Sequence, residues 1–459
     1  MVTDTDFVLS ADLVSTVSTL TTNLQSWYQR LRRPSLGAVD LIRALLSNGL
    51  GMLLAFVANI FIAHLLGPHD FGIYITLLSS ALVMGGVAAY GVQPVLVREV
   101  AAQPSELRRA IVVAMSRWAL HLTGLSSLGA MVLIAAWLTY GPGAPPSLWI
   151  ERIAVIAVIP VSVWVAIATG LLGGLSQIAK SQAIVNVWKN GLLLLGASIL
   201  MFASVRRIVD LLWLQVASFM IAALVGVYWV RWSVPEATTD AVKATITEGD
   251  TKSIHRAWQR SARNFFVLTA AVLVLGRADV IIVNAIAGPM QAGLFGAAMR
   301  LGQATGIAGI VWIAWLQPRV AHQFRQRQHD RLRATLRRGL TGTFSITLII
   351  AVIGWVLAPT LMSLLGRGFT GATIPFRWLL ICYMGWAVSV PYYVLLSMTN
   401  HERLVSRILW LQVILTLALS FPLARHFGAL GGVWAWSLGV TVSSIMIIIF
   451  GLLEQPRGE

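Results

Sequence analysis

Long apolar runs separated by short polar breaks cover the chain from about residue 44 to its end. A run of about 20 mostly apolar residues has the length that an α-helix needs to cross a lipid bilayer. The pattern predicts twelve such spans, at residues 44–66, 72–92, 111–140, 153–175, 181–203, 211–231, 264–287, 293–316, 340–364, 376–398, 406–425 and 428–452. The sequence is therefore predicted to form an all-α polytopic membrane protein.

Composition and charge support this prediction and orient the spans. The chain is 57% hydrophobic and 11% charged, whereas soluble domains carry about 25% charged residues. If both termini and alternate loops face one side, 25 of the 34 Lys and Arg residues lie there and only 6 on the other side. Because basic loops stay in the cytoplasm, both termini are predicted to be cytoplasmic. Topology also accounts for the net charge of +16, so we expect no nucleic-acid partner.

The sequence repeats itself in two halves. Residues 67–74 recur as residues 288–295, at an offset of 221 positions. The repeat predicts two six-helix lobes related by a pseudo-twofold axis along the membrane normal, with a cleft between them. The predicted parts are an N-terminal cytoplasmic or interfacial segment (1–43), an N-lobe (44–232), a cytoplasmic linker (233–263), a C-lobe (264–452) and a cytoplasmic tail (453–459).

A Gly-Pro pair lies at the end of the first span in each half. Gly67-Pro68 is expected to end that helix in the N-lobe, because proline cannot continue the helical hydrogen bonding. Asp70 follows at the start of the next span. It is predicted to be either the N-cap of that helix or a residue at the mouth of a pathway.

Residues 59–74 (NIFIAHLLGPHDFGIY), Tyr90-Gly91 and residues 97–100 (VREV) resemble the opening motifs of the polysaccharide-export flippases. These O-antigen and exopolysaccharide translocases belong to the MOP superfamily, together with MurJ-like lipid II flippases and MATE exporters. The resemblance implies a V-shaped pair of six-helix bundles in the bacterial cytoplasmic (inner) membrane. It implies translocation of an undecaprenyl-diphosphate-linked oligosaccharide for surface polysaccharide biosynthesis, without enzymatic activity or a cofactor. Its implied partners are this substrate, membrane lipids, and a polymerase and co-polymerase of polysaccharide assembly.

Four charged residues lie deep inside predicted spans, at least seven positions from either end: Lys189, Arg277, Asp279 and Arg300. A charge at the bilayer centre costs about 2.5 to 3.5 kcal/mol, so such residues usually serve a function. Arg277 lies about 10 residues from the nearer end of its span, too deep for easy snorkelling, and is predicted to bind the diphosphate. Asp279 cannot share the helix face of Arg277. It is predicted either to pair with another helix or to bind a proton in a coupling role.

Polar side chains extend this candidate substrate cavity on two spans. Gln182, Asn186 and Lys189 follow α-helical spacing and are predicted to form one stripe on span five. Lys189 either lines the cavity or snorkels to the cytoplasmic surface. Arg300 and Gln303 face the same way on span eight, with snorkelling as the alternative for Arg300.

Span one contributes a polar and small face that includes Asn48 and Asn59. This face either lines the cavity or packs against another helix. The charged candidates together give the cavity three positive charges and one negative charge, which suits a diphosphate headgroup. The sequence contains no paired carboxylates, metal-ligand spacing or nucleophile motif, so neither a catalytic nor a metal site is predicted.

Three other classes of protein fit the sequence less well. A MATE-like multidrug or cation antiporter shares the plan, but drug cations favour intramembrane carboxylates and only Asp279 qualifies. A major-facilitator transporter would carry a Gly-rich signature after span two, which this sequence lacks. A membrane enzyme acting on polyprenyl-linked glycans would need catalytic groups on large extracytoplasmic loops, and the longest predicted here have about a dozen residues.

Overall fold

The computed structural model describes residues 36–102, 108–141, 143–234, 248–326, 328–399 and 401–454. Over these ranges the secondary structure is helical, without a β-strand. The α-helices, numbered α1 to α13 in chain order, are Leu36–Ala89, Val92–Ala101, Arg108–Tyr140, Trp149–Gly174, Ile178–Ala183, Lys189–Phe202, Ile208–Ser233, Glu248–Ala287, Pro289–Thr305, Ile307–Arg325, His329–Leu365, Thr373–Met398 and Glu402–Leu453. A π-helical turn, Ile184–Trp188, joins α5 to α6, and a 3-10 turn, Arg367–Ala372, precedes α12.

Nine helical segments in the described ranges are long and apolar enough to cross a membrane, or ten if the bent pair within α8 counts as one span. Two of these segments, in α1 and α13, are interrupted by Gly67 and Gly428, whose backbone angles are not helical. A straight helix of the 54 residues of α1 would be about 81 Å long, far more than the about 30 Å of a hydrocarbon core. The prediction of an all-α polytopic membrane protein is confirmed, while the count of twelve spans stays a prediction.

The Gly-Pro motifs of the two halves adopt the same backbone conformation. Gly67 has φ 71° and ψ 171°, and Gly288 has φ 86° and ψ 170°. In each half proline is the first residue of the next helix, where its missing N–H costs no hydrogen bond. The predicted break in the N-lobe is confirmed. Asp70 is not the N-cap, because Gly67 holds that position; Asp70 lies in the first turn, with its carboxylate 2.9 Å from His69 Nδ1.

The two helices that follow these motifs, the second part of α1 and α9, pack directly against each other. We call this contact the lobe crossing. A Cβ atom placed on Gly72 would lie 2.8 Å from the backbone nitrogen of Gly293, and one on Gly293 would lie 3.1 Å from that of Gly72. The contact is reciprocal, as a pseudo-twofold axis requires, and its closeness leaves room only for glycine. The main hydrophobic core runs through this crossing, where Tyr74 and Phe295 are buried.

Further contacts between the halves lie near the same end of the bundle, which we call the glycine–proline end. Phe71 packs edge-on against Phe369, with ring centroids 5.7 Å apart. Asn284 Nδ2 at the end of α8 donates a hydrogen bond of 3.0 Å to the carbonyl of Gly143. These contacts join the two halves of the chain at the glycine–proline end.

At the opposite end, α8 packs against α2 and α3. Arg98 donates a hydrogen bond of 2.8 Å to Ser261 Oγ, and Trp118 packs edge-on against Trp258 at 5.5 Å. Helix α8 begins at Glu248, so residues 248–263 of the predicted linker are helical. Residues 235–247, like most of the predicted N-terminal segment and tail, lie outside the described residues.

Candidate functional site

Four of the predicted site residues meet at the crossing of the two halves. Arg277, Asp279, Arg300 and Gln303 line a cavity of about 20 Å³ between α1, α8 and α9. Arg277 lies ten residues before Ala287, and Arg300 lies twelve residues after Gly288. At 1.5 Å per residue these positions are about 15 and 18 Å from the glycine–proline end, close to half of a hydrocarbon core of about 30 Å.

Lys189 adds a third positive charge to this region. Its Nζ lies 5.2 Å from the ring centroid of Phe219 on α7 and within Coulombic range of Arg277 and Arg300. Among the described residues, none of these three cations forms an ion pair with a carboxylate. Like charges in a low-dielectric region repel each other, so an anion bound among them would be stabilised.

Lys189, Arg277 and Arg300 together are called the cation group below. Gln182 and Asn186 do not extend towards it. Asn186 Nδ2 donates a hydrogen bond of 3.1 Å to Gln182 Oε1 and a second bond to Asn48 Oδ1 on α1. The π-helical turn holds more residues per turn than an α-helix, which shifts Lys189 out of register with the two amides. The single stripe predicted from α-helical spacing is therefore wrong, because the amides face α1 while Lys189 lies against α7.

A second cavity, of about 340 Å³, lies between the first half of α1 and the junction of α9 and α10. Asn59, Arg300 and Gln303 contribute polar groups, and Leu53 and Phe56 contribute apolar ones. Asn59 Nδ2 donates locally to the carbonyl of Ala55, at 2.6 Å. The cavity thus places an arginine beside an apolar wall, an arrangement that suits a lipid with a charged headgroup.

A third cavity, of about 540 Å³, is lined mainly by α10, α12 and α13. Its walls include four aromatic residues, Tyr383, Trp386, Tyr393 and Trp436, and the polar side chains of Gln303, Ser389, Gln412, Ser443 and Ser444. Gln303 lines all three cavities, so they adjoin one another at this residue. The aromatic residues were not among the predicted site residues, although the helical spacing of Gly302, Gly306 and Gly309 indicates close packing there.

Asp279 is isolated within the first cavity. It is 2% exposed, and neither carboxylate oxygen has a hydrogen-bond partner among the described residues. Burial of an ionised carboxylate without a partner is costly. The structure therefore shows no pairing of Asp279 with a described residue of another helix, and a bound proton or cation would satisfy the group.

Two residues close to Arg300 were also not among the predicted site residues. Tyr74 lies within Coulombic range of Arg300, and its hydroxyl donates a hydrogen bond of 3.4 Å to Gln215 Oε1. Ser79 lines the same small cavity as Arg277 and Arg300. Both belong to a strongly apolar span, and nothing in their spacing distinguishes them from core residues.

A family whose sequence model is described as "Polysaccharide biosynthesis protein" matches residues 40–314. This match confirms the family resemblance of the N-terminal motifs. No curated protein matches the chain at a significant level.

Solved structures with the same fold cover most of the chain. The inward-facing conformation of a multidrug resistance MATE family transporter of the MOP superfamily has a TM-score of 0.67 and 13% identity, over 89% of this chain and 97% of that one. Lipid II flippase MurJ in an inward closed conformation has a TM-score of 0.67 and 10% identity, over 89% and 87%. An outward-facing MATE structure has a lower TM-score of 0.57, with 14% identity over 90% and 95%. The fold is that of the MOP superfamily.

Proposed function

Because the chain belongs to the polysaccharide biosynthesis protein family, we propose that it is a flippase for an undecaprenyl-diphosphate-linked oligosaccharide. The observation that carries this proposal is that Arg277 and Arg300 line one cavity at about half-depth, with Lys189 within Coulombic range of both. A diphosphate offers several anionic oxygens, and guanidinium groups bind such oxygens in pairs with good geometry. Alternating access between the two lobes would carry the headgroup across, for surface polysaccharide biosynthesis.

The proposed topology follows from the interrupted helices. Each half of α1 and α13 would make one crossing, which gives twelve spans with both termini in the cytoplasm. The glycine–proline end would then face the outside, and the second and third cavities would lie in the cytoplasmic half. This arrangement suits uptake of a lipid-linked oligosaccharide from the inner leaflet of a bacterial cytoplasmic membrane. A polymerase and a co-polymerase are the proposed partners on the outer side.

The charge of the site weighs against two alternatives. A MATE-like exporter of cations would have to bring a positive substrate to a region with three basic side chains and Asp279 as its carboxylate. A membrane enzyme acting on polyprenyl-linked glycans would need catalytic groups at the substrate. The structural relatives are a MATE family transporter and a lipid II flippase.

Asp279 is the proposed coupling residue. Its carboxylate is buried beside the cation group and has no partner among the described residues. Binding of a proton or a cation there would change the charge of the site by one unit at the place where the lobes cross. Such a change would alter the balance between the two access states while the diphosphate is bound.

The experiment that tests the flippase proposal is substitution of Arg277 followed by binding of undecaprenyl diphosphate to the purified protein. Arg277→Ala removes a charge-assisted contact of about 1.5 to 3 kcal/mol, so affinity should fall by about tenfold or more. Arg277→Lys should restore only part of the affinity, because lysine keeps the charge but lacks the planar fork. Glycan export by cells should fall in the same order.

The matched control is Arg377→Ala. Arg377 belongs to the same half of the chain but is only half-buried, and its guanidinium lies over the ring of Trp355 at 5.2 Å, away from the three cavities. This variant should bind undecaprenyl diphosphate as the wild type does. Full binding and export by an Arg277→Ala protein of normal membrane abundance would refute the role of Arg277.

A further inference from the structure

The third cavity, which we call the aromatic cavity, differs in chemistry from the other two. Tyr383 is its central ring, 6.1 Å from Trp386 at an interplanar angle of 89° and 5.4 Å from Trp436 at 47°. The three rings therefore present faces and edges in different directions within one space. Aromatic side chains are large, rigid contact surfaces that lose little conformational entropy on binding.

Two glycines at the junction of α9 and α10 and in the first turn of α10 allow these rings to pack close to the helix backbone. A Cβ atom on Gly306 would lie 3.2 Å from the Tyr383 ring, and one on Gly309 would collide with the Trp386 ring. The rings can lie against the helix junction only because side chains are missing there. This packing fixes the orientation of two of the three rings before any ligand binds.

Hydroxyl and amide groups complete the walls. Ser443 Oγ donates a hydrogen bond of 2.9 Å to Gln412 Oε1. The hydroxyl of Ser444, a side chain that is 4% exposed, has no partner among the described residues. A buried hydroxyl without a partner is normally satisfied by a ligand or a water molecule. The residues that line this cavity include no Lys, Arg, Asp or Glu, so the preferred ligand is neutral and rich in hydrogen-bonding groups.

We propose that the aromatic cavity binds a sugar ring of the lipid-linked glycan, while the cation group holds the diphosphate. A pyranose has apolar C–H faces that stack on aromatic rings and a rim of hydroxyls that bond to serine and glutamine side chains. The volume of about 540 Å³ lies within the range of about 300 to 1,000 Å³ typical of small-molecule sites. Gln303 lines both this cavity and the second cavity, of about 340 Å³, where Arg300 lies, so one headgroup can contact both.

This inference rests on the proposed function and can fail separately from it. The test measures the affinity of purified protein for two probes: undecaprenyl diphosphate, and the lipid-linked glycans extracted from membranes of the producing cells. The wild type should bind the glycan-bearing lipid more tightly. Trp386→Ala should lower the affinity for the glycan-bearing lipid by about five- to tenfold, within the range of aromatic contacts, and leave undecaprenyl diphosphate binding unchanged. Trp386→Phe, which keeps a flat ring, should retain most of the difference between the probes.

Trp378→Ala is the matched control, because Trp378 lies on the same helix, is 43% exposed and packs against Trp434 instead. It should bind both probes as the wild type does. Equal losses for both probes in Trp386→Ala would assign the cavity to the lipid and overturn the proposal. Equal affinities of the wild type for the two probes would also overturn it. Failure of the wild type to bind undecaprenyl diphosphate would instead refute the flippase proposal itself.

Discussion

The reciprocal glycine contact between the lobes predicts that Gly72→Ala destabilises the conformation described here. A Cβ atom on Gly72 would lie 2.7 Å from the carbonyl carbon of Pro289, about 0.7 Å short of the 3.4 Å at which ordinary contacts begin. The obstacle is backbone, so the lobes must separate at the glycine–proline end. Overpacking of this kind costs about 1 to 3 kcal/mol, which would shift a two-state equilibrium by about 5- to 150-fold towards opening at this end.

Spin labels on His69 and Met290 would measure the separation. Both side chains are exposed and lie one residue after the paired prolines, and the single native cysteine, Cys382, can be replaced by serine. Distances measured by pulsed electron paramagnetic resonance should become longer in Gly72→Ala and in its mirror variant Gly293→Ala. Gly129→Ala is the control, since a Cβ atom there meets nothing within 4 Å. If the distances in Gly72→Ala and Gly293→Ala equal those of the wild type, the close glycine contact does not control separation of the two halves.

Three further predictions concern the charged site, the amide cluster and the topology. Asp279→Asn should bind undecaprenyl diphosphate as the wild type does, but its glycan export in vesicles should no longer depend on the ion gradient. If export by this variant still depends on the gradient, Asp279 is not the coupling residue. Lys189→Ala should lower the affinity for undecaprenyl diphosphate. Asn186→Ala loses two side-chain hydrogen bonds, so it should lower the free energy of unfolding by about 1 to 3 kcal/mol and leave this affinity unchanged. The reverse pattern would contradict the placement of Lys189, rather than Asn186, beside the two arginines. Cysteines placed at Gln328 and Pro145 should react with membrane-impermeant reagents from the cytoplasm and from outside respectively, and labelling of Gln328 in intact cells would reject the proposed topology.

The helical breaks could be predicted from the sequence because their cause is local. Gly67-Pro68 and Gly288-Pro289 carry their conformation in two adjacent residues, and proline after glycine ends a helix wherever it occurs. The depth of Arg277 and Arg300 in the membrane could also be predicted, because it depends only on their distance from the ends of an apolar run. For these features, the residues that determine the structure are neighbours in the sequence.

The contacts of Lys189 and the aromatic cavity could not be predicted in the same way. The π-helical turn before Lys189 changes the helical register, and no local composition marks such a turn. Tyr383 and Trp436 belong to different helices, so their meeting depends on how α12 and α13 pack. Of the two roles predicted for Asp70, the N-cap is wrong, because the helix restarts earlier, at Pro68.

The internal repeat places different chemistry at corresponding positions of the two halves. At the repeat offset of 221 positions, Ser79 corresponds to Arg300 and Phe56 to Arg277, and Ser79 lies on the wall of the same cavity as the two arginines. Two copies of the N-terminal half would bring no arginine to these positions, and two copies of the C-terminal half would bring four. The site is therefore asymmetric within a symmetric frame, because one half supplies the charge and the other the neutral wall. Gly72 and Gly293 cannot differ in this way, since the backbones of the two halves approach too closely there for a side chain on either.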